Sequence, residues 1–163
     1  SGIGALKQPV EQALTAPQSA VSQSSVKPAL PKHRLFAYGT LQLPERVHEI
    51  IGRTLEGIPA HLDGYRCGLV ARADFPGIVP DATARTPGQL LAGLTEVELT
   101  LFDDYEGELY HRILVTAILD SADHPITAWT YVIAPWAQAR VTQQPWTIGW
   151  YRQLQQGRVT YRG

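Results

Sequence analysis

The pattern of apolar and polar positions changes at residue 33. Residues 1–32, SGIGALKQPVEQALTAPQSAVSQSSVKPALPK, contain no aromatic residue and sustain no apolar period. Ala, Gln, Ser and Pro dominate, which is the composition of a flexible tail or linker. From His33 onward apolar runs alternate with turn residues, so the folded domain is expected over 33–163. In RLFAYGTL, Leu35 to Tyr38 suit a buried strand that breaks at Gly39 and turns through Thr40 before any polar loop begins. PERVHEIIG then offers Pro44 at a first helical position, Val47, Ile50 and Ile51 on one side, and Gly52 as a stop.

TLEGIPAHL, YRCGLV and GIVPDA read as three modest strands, divided by Asp63-Gly64 and by the Asp74-Phe75-Pro76-Gly77 turn, and GQLLAGLT reads as another. In TEVELTLFDDYEG, Thr95 and Glu98 have the spacing of a capping box, and Gly107 is placed to end the helix. Val97, Leu101 and Tyr105 recur every four residues, with Phe102 beside them, and are expected to pack on the sheet. YHRILVTAIL and PITAWTYVIA alternate as two neighbouring strands. Near the end Trp146, Trp150, Tyr151 and Leu154 fall at helical spacings, which predicts a helix docked by its aromatics before a basic, strand-like tail.

Length and charge narrow the picture. A chain of 163 residues with 44% hydrophobic composition supports one core of ordinary size. Lys and Arg number 14 against 15 Asp and Glu, so no global field draws nucleic acid or an acidic membrane surface. Arg140, Arg152, Arg158 and Arg162 stand near tryptophans without forming a recognised nucleic-acid motif. No apolar stretch approaches the roughly 20 residues that cross a bilayer, and no secretory signal pattern opens the chain, so the cytoplasm is the expected location. The opening Ser1-Gly2, in a chain without Met, reads as the start of a trimmed chain or of an excised portion of something longer. The single Cys67 excludes an internal disulfide framework and is expected to be a buried, small apolar residue. His33, His48, His61, His111 and His124 lack metal-ligand spacing, and no nucleophile elbow supports a serine hydrolase. Neither metal nor cofactor is expected.

The chemistry concentrates at one helix end. Asp103, Asp104, Glu106 and Glu108 surround a helix C-terminus, where the last carbonyls already carry negative partial charge. A solvated turn explains such a run, but an acid crowded by its neighbours and by Phe102 and Tyr105 would hold its proton more tightly, as a general base near neutral pH must. Arg112 is placed to pair with this acidic end or with a substrate carboxylate.

Four blocks in order, LFAYGTL, DFPGIVP, LFDDYEGELYHR and WTYV, resemble the gamma-glutamylcyclotransferase-like superfamily, in particular the branch holding gamma-glutamylamine cyclotransferase and the plant avirulence-induced-gene-like proteins. The resemblance covers about residues 34–135. It implies an α+β fold, a curled mixed β-sheet or barrel with a few flanking helices and a substrate cavity at one mouth. It implies cleavage of a gamma-glutamyl amide by its own α-amine, releasing 5-oxoproline and a free amine with no cofactor. By motif, Tyr38, Gly39, Thr40 and Leu41 form the loop that holds the glutamyl group, and Glu106 of the YEG triplet takes the catalytic place. Pro76 and Gly77 are expected to shape a rim, and Tyr110 and Tyr131 to line the cavity. Tyr38 reads equally as a core aromatic, and Thr40 as a turn stabiliser. Gln42, Leu43 and Pro44 replace the polar, glycine-bearing stretch usual after this loop, which leaves the leaving-group channel undefined. The alternative is a non-catalytic module that binds a gamma-glutamyl-like ligand or a protein partner in the same cavity, with residues 1–32 as a tether.

Overall fold

A computed structural model describes residues 32–162. The tail expected over 1–32 therefore lies, apart from Lys32, outside the described residues. Among the described residues, five strands form a closed barrel flanked by three α-helices and three 3₁₀ turns. In chain order these are β1 (His33–Ala37), a 3₁₀ turn at Thr40–Gln42, α1 (Pro44–Ile51), β2 (Ile58–Leu69), β3 (Pro76–Leu94) and α2 (Glu96–Glu106). A 3₁₀ turn at Gly107–Leu109, β4 (Tyr110–Leu119), β5 (His124–Ile133), a 3₁₀ turn at Pro135–Arg140 and α3 (Ile148–Arg162) follow. Around the barrel the order is β1-β3-β2-β4-β5. All pairings are antiparallel except the one that closes the ring, where Leu35 of β1 meets Trp129 of β5 in parallel.

The period of two along β1 distributes the core. Leu35 and Ala37 face one apolar cluster, with Val47 of α1, Leu91 and Leu94 of β3, and Leu99 and Phe102 of α2. Phe36 and Tyr38 face a second cluster inside the barrel, with Ala60, Leu62, Ile78, Leu90 and Ala117. One strand thus pins the two helices on its outer side while closing the barrel interior on the other.

Several sequence expectations change here. The segments expected as three modest strands and a fourth are two long strands, β2 and β3, paired along most of their length. Asp63-Gly64 is a bulge inside β2, with Gly64 at φ 90, where a turn was expected. The α2 face is also different. Leu99 and Phe102 are buried, whereas Val97, Leu101 and Tyr105 are 66%, 39% and 41% exposed. The basic tail continues α3 to Arg162 as helix. Trp146 and Tyr151 dock this last segment, buried against Leu43 with Trp150 packed beside them. No described helix is long and apolar enough to cross a membrane.

Candidate active site

The bend after β1 is built by close approach. Gly39 sits at φ −111, so it is not the left-handed conformation that requires glycine there. A Cβ would stand 3.1 Å from Pro76 Cγ, and the missing side chain lets the β3 entrance press on the bend. Gln42 N donates to Gly39 O at 3.1 Å and Leu43 N to Thr40 O at 3.0 Å, closing the 3₁₀ turn. Gln42 Nε2 donates to Tyr38 O at 2.8 Å. No side chain caps the turn, so the N–H groups of its first residues have no partner within it.

Opposite stands the last residue of α2. The Thr95 cap and the Glu98 side chain complete the expected capping box and fix where α2 begins, and Gly107 at φ 74 ends it. Eleven residues after the cap, Glu106 lands in the wall of a cavity of about 420 Å³ that Tyr38, Gly39, Thr40 and Leu41 also line. Burial alone pushes the Glu106 carboxyl up to about 8. The neighbouring acids, expected to contribute by crowding, do not. Asp104 and Glu108 are exposed. Asp103 turns to the barrel side, where Arg112 Nε donates to it at 2.7 Å and the Tyr131 hydroxyl donates to it at 2.7 Å. Arg112 therefore takes the ion-pair role at the helix end, and its guanidinium also covers the Trp129 ring at 4.3 Å.

Three phenols support the cavity wall. The Tyr38 hydroxyl donates to Tyr131 O at 2.5 Å, and that of Tyr110 donates to Pro76 O at 2.5 Å. Burial raises all three phenols, Tyr38, Tyr110 and Tyr131, and the charge of Glu106 raises them further, so each stays protonated. Tyr38 thus combines the two roles open to it, a core aromatic with a satisfied hydroxyl and a cavity wall. Of the other expected rim and lining residues, Pro76, Tyr110 and Tyr131 line the cavity. Gly77 does not. A Cβ there would meet Ile133 Cγ1 at 2.2 Å, so Gly77 serves the packing of β3 against β5. His111 is exposed, on the opposite face of β4 from Tyr110.

The cavity also draws in residues the sequence reading did not assign to it: Arg46 of α1, Tyr151 of α3, and Asp74 with Phe75 from the turn before β3. Tyr105 belongs with them at the mouth, not on the sheet. Arg46 had one visible signal, a cation two places after Pro44 in a helix that follows the bend directly. Tyr151 had none beyond its aromatic neighbours. Cys67, expected to be buried, is only half-buried beside the barrel interior, and desolvation pushes its thiol up to about 12, so it stays protonated at neutral pH. Among the described residues, no group of three or more His, Cys, Asp or Glu side chains is placed to hold a metal ion.

Residues 35–153, most of the described chain, match the family described as gamma-glutamyl cyclotransferase, AIG2-like. The chain belongs to this gamma-glutamyl cyclotransferase, AIG2-like family. Within it, the chain is 34% identical to AIG2-like protein C of Arabidopsis thaliana over 98 residues, 60% of this chain and 57% of that protein. It spans about three fifths of the length of the curated relatives it matches. A solution structure from Arabidopsis thaliana superposes with a TM-score of 0.66 at 25% identity, covering 86% of this chain and 83% of that one. A second from the same plant gives 0.64 at 27% identity, covering 85% and 91%. A solved gamma-glutamyl cyclotransferase gives 0.54 at 19% identity over 63% and 66%, a likeness of fold. The curled α+β barrel is therefore the fold of the cyclotransferase family, and the Tyr38–Leu41 bend and Glu106 both fall inside the matched residues.

Proposed function

We propose that this chain cleaves a gamma-glutamyl amide by intramolecular attack of the substrate's own α-amine on its γ-carbonyl. A carbon–nitrogen bond forms to close the five-membered ring, the original amide bond breaks, and 5-oxoproline and a free amine leave. The observation that carries this reading is that one cavity holds both the Glu106 carboxyl and the bend from Tyr38 to Leu41.

The α-amine of a gamma-glutamyl group is mostly an ammonium at neutral pH and cannot attack until it loses a proton. Glu106, with its carboxyl pushed up to about 8 by burial, is largely protonated at neutral pH. An arriving ammonium stabilises the carboxylate form, so acid and amine come to share one proton between them. Glu106 then takes that proton as the amine attacks and passes it to the departing nitrogen, which leaves as a neutral amine, while the ring nitrogen sheds its second proton to the Glu106 carboxylate as the lactam forms. As the γ-carbonyl becomes tetrahedral its oxygen gains charge, and the uncapped N–H groups at the bend are suited to receive it. Ring closure within one molecule gives effective molarities of about 10⁵ M or more when the ends are held together. A cavity walled by immobilised phenols serves that end.

The test is incubation of the protein with gamma-glutamylamines and gamma-glutamyl dipeptides, with mass spectrometry for 5-oxoproline. Turnover of at least one substrate, lost in Glu106→Gln while binding persists, is the expected result. No 5-oxoproline from any member of the panel, or full turnover by Glu106→Gln, overturns the reading.

A further inference from the structure

Arg46 is the one cation among the described residues lining the cavity, against three acids, Asp74, Glu106 and Glu108. Its guanidinium is held from several sides. Nη1 donates to the Tyr105 hydroxyl at 2.5 Å, Nη2 donates to the Tyr151 hydroxyl at 3.3 Å, and the Tyr105 ring centroid lies 5.8 Å away. Nε faces Glu49 Oε1 at 3.2 Å, but the Glu49 side chain is 67% exposed, and an ion pair so open to water is weak. A guanidinium has five N–H donors, and these contacts occupy three. What remains is an oriented cation with donors to spare and no buried counter-charge among these partners.

Its position tells which part of a substrate it would meet. Arg46 and Tyr151 also line a groove between α1 and α3, together with Glu45 and Arg152, which pair with each other at 3.0 Å. Arg46 thus stands where the cavity opens outward. On the cyclotransferase reading the reacting carbonyl sits between Glu106 and the bend and the bend holds the glutamyl group, α-carboxylate included, so the portion of substrate left to reach this outer edge is the departing amine. Building on the cyclotransferase reading, we infer that Arg46 selects substrates whose leaving group carries a carboxylate: gamma-glutamyl amino acids or peptides, not gamma-glutamyl alkylamines. A carboxylate accepts two parallel N–H bonds from a guanidinium, whereas an alkyl chain leaves a partly desolvated cation without exchange.

The experiment compares gamma-glutamylalanine with gamma-glutamylethylamine, which lacks only the carboxylate. Two ratios are measured: kcat/KM for 5-oxoproline release, and affinity by calorimetry in the Glu106→Gln background, which needs no turnover. The unsubstituted Arg46 protein is expected to favour the acid by about tenfold or more in both ratios. Arg46→Gln should bring the ratio near one, and Arg46→Lys, which keeps charge but not the fork, should fall between. Because each ratio is taken within a single preparation, a partly misfolded fraction cancels. A ratio of one or below with Arg46 present, or the same ratio in both variants, overturns the inference. An Arg46-dependent affinity ratio with no 5-oxoproline formed sustains it and sinks the cyclotransferase reading. Turnover of both substrates with no dependence on Arg46 does the reverse.

Discussion

The Thr40 hydroxyl lies 3.0 Å from that of Tyr105, joining the bend after β1 to the last turn of α2 one residue before Glu106. Arg46 donates to Tyr105 Oη, which leaves the phenol proton for Thr40 Oγ1. Thr40→Val keeps the shape and removes the link. Since displacements of about 1 Å at a reacting centre cost up to about 10²-fold, kcat/KM should fall about tenfold or more. The loss of one hydrogen bond costs about 1 kcal/mol, so the melting temperature should fall by only about 2–5 °C. Steady-state kinetics and thermal melts check this, and Thr40→Ser should recover most of the activity.

The raised Glu106 carboxyl has a signature in rate and in stability. Below about pH 8 the acid and the substrate amine progressively hold a proton each, so kcat/KM should decline toward a tenfold drop per pH unit, measured from pH 9 to 6. For stability, the folded carboxyl titrates at about 8 and the unfolded one near 4.5, so between these values the folded state binds the extra proton. Stability therefore decreases as pH rises through that window. Glu106→Gln removes the effect. Its melting temperature should exceed that of the natural protein at pH 8 to 9, and the gap should close by pH 4.

Two glycines separate packing from chain entropy. A Cβ at Gly88 would lie 2.4 Å from the Ala37 carbonyl oxygen, a backbone atom that cannot swing aside, so Gly88→Ala should destabilise by about 1–3 kcal/mol or more in urea unfolding. Gly157 lies within α3 with nothing within 4 Å, and Gly157→Ala should stabilise by about 0.5–1 kcal/mol.

The buried face of α2 is open to direct measurement. Phe102 is fully buried, so Phe102→Ala should cost about 3–5 kcal/mol. Val97→Ala, at a position 66% exposed, should stay within about 0.5 kcal/mol. Equal costs for the two would return the helix to the Val97, Leu101, Tyr105 face.

That face shows where sequence reading stops. The ends of α2 were legible because they depend on contacts a few residues apart: Thr95 with Glu98, and a glycine at position 107. Its buried side was not, because Val97, Leu99, Leu101, Phe102 and Tyr105 surround the helix and the choice between them belongs to β1 and β3. The long β3 was hidden for a related reason. Pro80, Asp81, Pro87 and Gly88 look like turn chemistry, yet the strand continues through them because β2 runs alongside and Gly88 admits β1. At the site, Glu106 and the 38–41 bend were marked by local motifs. Arg46 and Tyr151 reach the cavity from α1 and α3, and no local pattern announces a meeting of residues 105 apart in the chain.

The parallel pairing of β1 with β5 has a consequence for how the protein is made. Tyr38 and the carbonyl it grips at Tyr131 are 93 residues apart, so the hollow has no wall until nearly the whole barrel chain has emerged from the ribosome. Formation of the hollow then works as a gauge of completion: a nascent chain gains it in one late step. Loss of either terminal strand would remove the hollow together with the barrel, and neither half of the barrel would keep a part of it.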